Sequence, residues 1–112
     1  MAERIHRITM FKLPKVEDQQ SLLEKYKDLV ATNSKDGKPY ILSTFIGPAE
    51  ADPRSQGFTL VSKTEFASME DMKYYDEACP AHQRIKDYIR TLTLEGMVTV
   101  YFKPQVVGSA LP

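Results

Sequence analysis

Two histidines and six tyrosines carry much of the chemistry open to this 112-residue chain. His82 follows Pro80-Ala81, with Arg84 and Lys86 close behind. Histidine is the side chain whose ordinary pKa lies near neutrality, so at a helix break it suits a general base that takes a proton from a carbon acid. The plainer alternative is a capping or surface histidine that closes a loop. Tyr74 and Tyr75 are neighbours on one expected helix and project about 100° apart, so only one of them faces the core. A buried tyrosine hydroxyl needs a partner, and that of Tyr75 is placed to donate to a developing enolate oxygen. Ordinary core packing is the alternative for Tyr75. His6 shares a strand face with Ile8 and Met10. If His6, Tyr26 and His82 converge under the helices, they line a concave apolar pocket with a few polar groups, the usual form of a small-molecule site. Ser62 and Thr64 point into the same helix-side space, and Ile85 adds an apolar wall. The set proposed to touch a small-molecule ligand is therefore His82 and Tyr75 as catalytic groups, with His6, Tyr26, Ile8, Met10, Ser62, Thr64 and Ile85 as substrate-binding groups.

Other chemistries are poorly served. Two histidines far apart in sequence and no clustered carboxylates fall short of a metal-ligand set. The single cysteine, Cys79, allows no intramolecular disulfide and has no charged neighbour closer than Glu77 to activate it. There is no glycine-rich phosphate loop, no Gly-x-Ser-x-Gly elbow and no dinucleotide fingerprint. No cofactor is expected.

The elements that hold these side chains follow from periodicity. Residues 5–12 (IHRITMFK) alternate with period two, Ile5, Arg7, Thr9 and Phe11 on one face and His6, Ile8, Met10 and Lys12 on the other. Pro14 ends this strand, and Glu17 and Asp18 suit the first turn of a helix. That helix carries Leu22, Leu23, Tyr26, Leu29 and Val30 as its apolar stripe and fails near Asn33. Asp36-Gly37-Lys38-Pro39 is a turn, residues 40–47 a second strand and 58–66 a third. Ser68 with Asp71 reads as an N-cap and first-turn acid of a second helix through about Ala78. Pro80 redirects the chain into a further helical stretch with Ile85, Tyr88, Ile89 and Leu92, and residues 97–103 form the last strand.

The order β-α-β-β-α-α-β is that of the split βαβ, ferredoxin-like arrangement: an α+β fold with a four-stranded antiparallel sheet and its helices on one face. The helix-free face is expected to carry Ile5, Phe11, Val61, Val98 and Val100. An apolar sheet face left wet marks an association surface, so a homodimer through the open sheet face, closing into an α+β barrel, is the expected assembly. Fifteen basic residues balance fifteen acidic ones, which argues against nucleic acid as a partner. No apolar run approaches the roughly 20 residues of a membrane helix, and the charged start is unlike a signal peptide. No membrane association and a cytoplasmic location are expected.

His6, Met10-Phe11-Lys12, Gly57-Phe58-Thr59, Phe66-Ala67-Ser68-Met69-Glu70-Asp71-Met72, Tyr75 and Pro80-Ala81-His82, taken in order, resemble the stress-responsive A/B barrel domain family, in its fungal form. The resemblance makes residues 1–103 that domain and 104–112 a C-terminal tail. It implies a dimeric barrel, and through the family's plant member olivetolic acid cyclase it implies an aldol cyclisation without metal or organic cofactor. On that comparison His82 matches the base, Tyr75 the assisting tyrosine, and His6 and Tyr26 the pocket. Two functions are thus expected in parallel: a cofactor-independent cyclase or lyase for a polyketide-like or aromatic substrate, or a non-catalytic stress-response or ligand-binding dimeric barrel. An open cavity touching His82 and Tyr75 would favour the first or a binder; a packed interior would favour a structural protein.

Overall fold

A computed structural model describes residues 4–110. The outermost residues of the expected domain and tail, 1–3 and 111–112, lie outside the described residues. In chain order come β1 (Ile5–Lys12), α1 (Val16–Thr32), β2 (Ile41–Pro48), β3 (Leu60–Phe66), α2 (Met69–Glu77), α3 (Pro80–Ile89) and β4 (Gly96–Phe102). The sheet runs β2-β3-β1-β4 with every neighbouring pair antiparallel. This is the expected α+β, ferredoxin-like order.

The helices start and stop where local chemistry dictates. Glu17 and Asp18 fill the first turn of α1, where carboxylates complement the helix dipole. At its far end Asn33 is buried and ties three segments together: its amide nitrogen donates to the Leu29 and Val30 carbonyls, while its oxygen accepts from the backbone N–H of Tyr40 and Ile41. Asp36 and Gly37 take positive φ in the turn between them, which suits their types. Ser68 caps α2 through the Asp71 N–H at 3.1 Å. Pro80 opens α3 at a first-turn position, where its missing N–H costs nothing.

Buried α1 residues are Leu22, Tyr26 and Leu29, at i, i+4 and i+7. Val30, counted in the sequence stripe, is instead 56% exposed. β1 alternates strictly between buried and half-buried positions, but its faces are the reverse of the sequence expectation. Ile5 and Phe11, assigned to the open face, lie beneath the helices at 1% exposure each. His6, Ile8 and Met10, assigned to the pocket, stand on the helix-free face, opposite Phe102, Val100 and Val98 of β4. The cause is the double-sided pattern. Both faces of β1 carry two bulky apolar side chains, so hydrophobicity does not choose between them. The helices cover the pair with the larger aromatic, Phe11, which packs edge-on to Tyr26 at 6.5 Å. β3 follows its expected register, with Leu60, Ser62, Thr64 and Phe66 buried. The open face therefore presents Ile8, Met10, Val61, Val98, Val100 and Phe102.

Candidate active site

The helix layer covers the sheet unevenly. α1 packs on α3 and β2, and α2 lies over β1 and β3, whereas β4 is held mainly by β1. Met97, Thr99 and Tyr101 share the helix-side face of β4 through their register with Phe11, Thr9 and Arg7, yet Met97 is 54% exposed. Between α3 and the β1–β4 half lies a cavity of about 290 Å3 lined by Arg7, Thr9, Phe11, Tyr26, His82, Lys86, Ile89, Arg90, Met97 and Thr99. A second groove of about 410 Å3, between α1 and β2, is lined by Leu23, Val30, Thr44 and Ile46 with Glu24 and Lys27 and holds no histidine.

His82 is 4% exposed on the first turn of α3. Its Nδ1 lies 2.8 Å from the Tyr75 carbonyl. A carbonyl can only accept, so Nδ1 carries the proton and Nε2 keeps the free lone pair. The ring also stacks on that of Tyr75, with centroids 3.7 Å apart and planes 10° from parallel. Burial, with Arg7 and Lys86 adding repulsion, lowers the imidazole pKa to about 4, against the pull of the Tyr75 carbonyl and Asp76. At neutral pH the ring is therefore an uncharged acceptor at the cavity wall.

Arg7 is the buried cation of the site. Its Nη1 donates to Thr9 Oγ1 at 2.9 Å, its Nη2 pairs with Asp76 Oδ1 at 2.9 Å, and its guanidinium lies 5.1 Å from the centre of the Tyr75 ring. Thr9 Oγ1 lies 2.9 Å from Thr99 Oγ1 across the β1–β4 pair. Tyr26 also reaches the cavity. Its phenol is pushed up by burial, with the Ser62 hydroxyl beside it and Arg7 acting the other way, so it stays protonated at neutral pH.

The sequence candidates divide accordingly. His82 and Tyr26 meet at the cavity. Tyr75 is the inward member of the tyrosine pair, at 1% exposure, but its hydroxyl is buried without a hydrogen-bond partner and the residue is absent from the cavity wall. It braces His82 through its ring and carbonyl and does not offer its hydroxyl to a ligand. Tyr74 turns outward and donates to the Ser34 carbonyl at 3.0 Å. Ser62, Thr64 and Ile85 are buried on the helix side, behind the cavity wall. His6, Ile8 and Met10 lie on the other side of the sheet, where His6 stacks on Phe102 at 5.5 Å. No convergence of His6 with His82 occurs, because one residue of strand register reverses a side chain's face. The first-strand side chains that reach the cavity are Arg7, Thr9 and Phe11.

Arg7, Thr9, Thr99, Lys86 and Arg90 were missed by sequence reasoning. Lys86 and Arg90 stand four and eight residues after His82, on the same face of α3, a spacing legible in the sequence. Arg7 carried no such signal, since an arginine between His6 and Ile8 on a strand reads first as a solvent-facing residue. Among the described residues no group of three His, Cys, Asp or Glu side chains is arranged to hold a metal ion, and no helix is long and apolar enough to cross a membrane.

Known proteins share both sequence and fold with this chain. A family profile described as the Stress Responsive A/B Barrel Domain matches residues 5–102. A protein of Gibberella zeae described as a fusaristatin A biosynthesis cluster protein is 56% identical over 110 residues, covering 98% of this chain and 80% of that relative. Among solved structures, the hydroxynitrile lyase from Passiflora edulis superimposes with a TM-score of 0.69 at 16% identity, covering 100% of both chains. SnoaB, a cofactor-independent oxygenase from Streptomyces nogalater, gives 0.67 at 10% identity over 95% of this chain and 97% of that one. A dimeric ferredoxin-like protein of unknown function from Thermobifida fusca gives 0.72 at 16% identity over 93% of each chain. At these identities the structural likeness is one of fold.

Proposed function

The chain belongs to the stress responsive A/B barrel domain family, and we propose that it is a small-molecule enzyme of that family, a cofactor-independent cyclase or lyase for a polyketide-like or aromatic oxygenated substrate. The observation that carries this reading is His82: a neutral imidazole fixed by the Tyr75 carbonyl and ring, at the wall of a cavity of about 290 Å3. Its Nε2 takes the proton from an acidic carbon of the substrate, the C–H electron pair becomes the enolate, and negative charge gathers on the former carbonyl oxygen. Tyr26, kept protonated by burial, is the neutral donor at the cavity for that oxygen. The enolate carbon then adds to a second carbonyl in a cyclase, or the reverse cleavage runs in a lyase. Tyr75 is a positioning residue, a revision of the donor role expected from sequence. The cavity touches His82 but not Tyr75, so it meets the expected arrangement in part, and this open space supports an enzyme or binder over a packed structural protein. A relative in the biosynthetic cluster of a small molecule, and lyase and oxygenase relatives in fold, support the same direction.

Turnover of candidate 1,3-dicarbonyl substrates by His82→Ala tests the mechanism. A fall of about 100-fold or more is expected for loss of a general base, and an unchanged rate removes His82 from it. One observation favours a second reading, a non-catalytic ligand-binding barrel: a pKa of about 4 makes free His82 a weak base. Under that reading ligands bind and no substrate turns over.

The assembly belongs to the same proposal. Val98, Val100 and Phe102 are 40%, 52% and 45% exposed on the helix-free face, and burying them against a second copy stabilises a dimer by about 25 cal/mol per Å2. The patch is self-complementary about a twofold axis. Val100→Asp is expected to yield monomer or unfolded chain by light scattering. A folded wild-type monomer at micromolar concentration contradicts the dimer.

A further inference from the structure

The charge around the cavity is one-sided. Arg7, Lys86 and Arg90 all line it. Asp76 is the carboxylate tied to Arg7, and its backbone carbonyl also accepts from Lys86 Nζ. One residue thus tethers two of the three cations, by its side chain and by its main chain. Arg90 is paired with Asp87 at 3.8 Å, with its side chain 78% exposed at the rim. Arg7 is only 8% exposed, and its Nε is buried with no hydrogen-bond partner. A guanidinium has five N–H donors, and here Thr9 and Asp76 take one each. Asp76 supplies one counter-charge to this buried cation, and its spare N–H donors still favour a further acceptor. The two threonines extend the same preference. Thr9 Oγ1 accepts from Arg7 and shares a 2.9 Å hydrogen bond with Thr99 Oγ1 in which either hydroxyl can donate, so with Thr9 as donor the Thr99 proton is available to a ligand. Of the remaining wall, Phe11, Ile89 and Met97 are apolar, and Tyr26 and His82 complete it.

We infer that this cavity takes a small carboxylic acid, its carboxylate held by Arg7, Lys86 and the Thr99 hydroxyl and its apolar body resting on Phe11, Ile89 and Met97. The inference rests on the reading of the cavity as a ligand site and adds the class of ligand. A planar carboxylate matches the guanidinium fork, and Phe11, Ile89 and Met97 suit the apolar body of an organic acid. Asp76 is then a positioning residue, since it orients both cations. A bound carboxylate also leaves a mark on His82. Arg7, Lys86 and Asp76 are the charges that act on its ring, and an added anion favours the imidazolium, so the titration of His82 moves upward.

The test uses the wild-type protein and three probes of matched apolar body: phenylacetate, phenylacetamide and phenyl phosphate. Binding is followed through the His82 imidazole and Thr99 methyl resonances. Phenylacetate is expected to bind at least about tenfold more tightly than the amide, the size of a charge-assisted hydrogen bond, and to raise the His82 midpoint. Lys86→Gln, at a half-buried position that leaves the core intact, is expected to weaken phenylacetate and leave the amide unchanged. Equal binding of acid and amide, tighter binding of phenyl phosphate, or no shift of the cavity resonances by any probe each overturns the inference. Its failure is distinct from that of the enzymatic reading. Equal binding with a dead His82→Ala variant refutes only the carboxylate, and a clear acid preference with no turnover refutes only catalysis.

Discussion

The two ends of the helix layer follow different rules. Beneath α2, rings fill the space: Tyr40 lies 6.1 Å from Phe66 and 5.2 Å from Tyr74, and Phe66 lies 5.1 Å from Tyr75. Beneath α3 the space is left open, and its wall carries Arg7, Thr9, His82 and Thr99. Tyr75 stands at the border, packed on Phe66 on the one hand and on His82 on the other. The difference teaches how a small domain builds a site. The close-packed end fixes the imidazole, and the loosely covered end leaves a cavity open beside it without costing the core.

The largest effect that sharpens this contrast is Phe66→Ala. Phe66 is fully buried in the ring cluster, and removing it is expected to cost about 3–5 kcal/mol in urea unfolding. It should also loosen the Tyr75 ring on which His82 rests. A loss below about 1 kcal/mol would show that the α2 end is no more tightly packed than the α3 end.

A second effect is the pH dependence of stability. His82 has a folded pKa of about 4 against 6.5 for an ordinary histidine. Between those values the unfolded chain binds more protons than the folded one, so stability is complete above pH 6.5 and is lost as pH falls through 4. The full difference is about 3 kcal/mol. His82→Gln removes this component, so the wild-type and variant curves should converge toward pH 4 and separate above it. Parallel curves over the whole window would contradict a depressed His82.

The smallest effect is expected from Met97→Ala. Met97 lines the cavity but is more than half exposed, so its truncation should cost less than about 1 kcal/mol while changing the affinity of apolar ligands. A core-sized loss there would mean that the α3 end is packed after all.

Element order and sheet topology were legible in the sequence because each strand and helix carries its own period and its own stops. Pro14, Asn33, Ser68 and Pro80 mark boundaries by local chemistry alone. His82 and Tyr26, both singled out in the sequence, meet at one cavity, Tyr26 from the apolar stripe of α1 and His82 just past the break at Pro80. The buried face of β1 was not legible. With Ile5 and Phe11 on one side and Ile8 and Met10 on the other, its period gives two faces without saying which is buried. The answer depends on Arg7, whose burial is stabilised by Thr9 next along its face and by Asp76 on α2, a partner far away in sequence. Spacing allowed only one of Tyr74 and Tyr75 to face inward without choosing between them; Tyr75 is the inward one, packed on Phe66 and His82, contacts that the spacing does not encode.

The central claim is that His82 is a neutral imidazole with its proton on Nδ1 and its lone pair on Nε2. Nitrogen-15 NMR of the His82 ring across a pH titration measures both properties at once. The account predicts the Nδ1–H tautomer at neutral pH and a midpoint near 4. The Nε2–H tautomer, or a midpoint at or above 6.5, would contradict it.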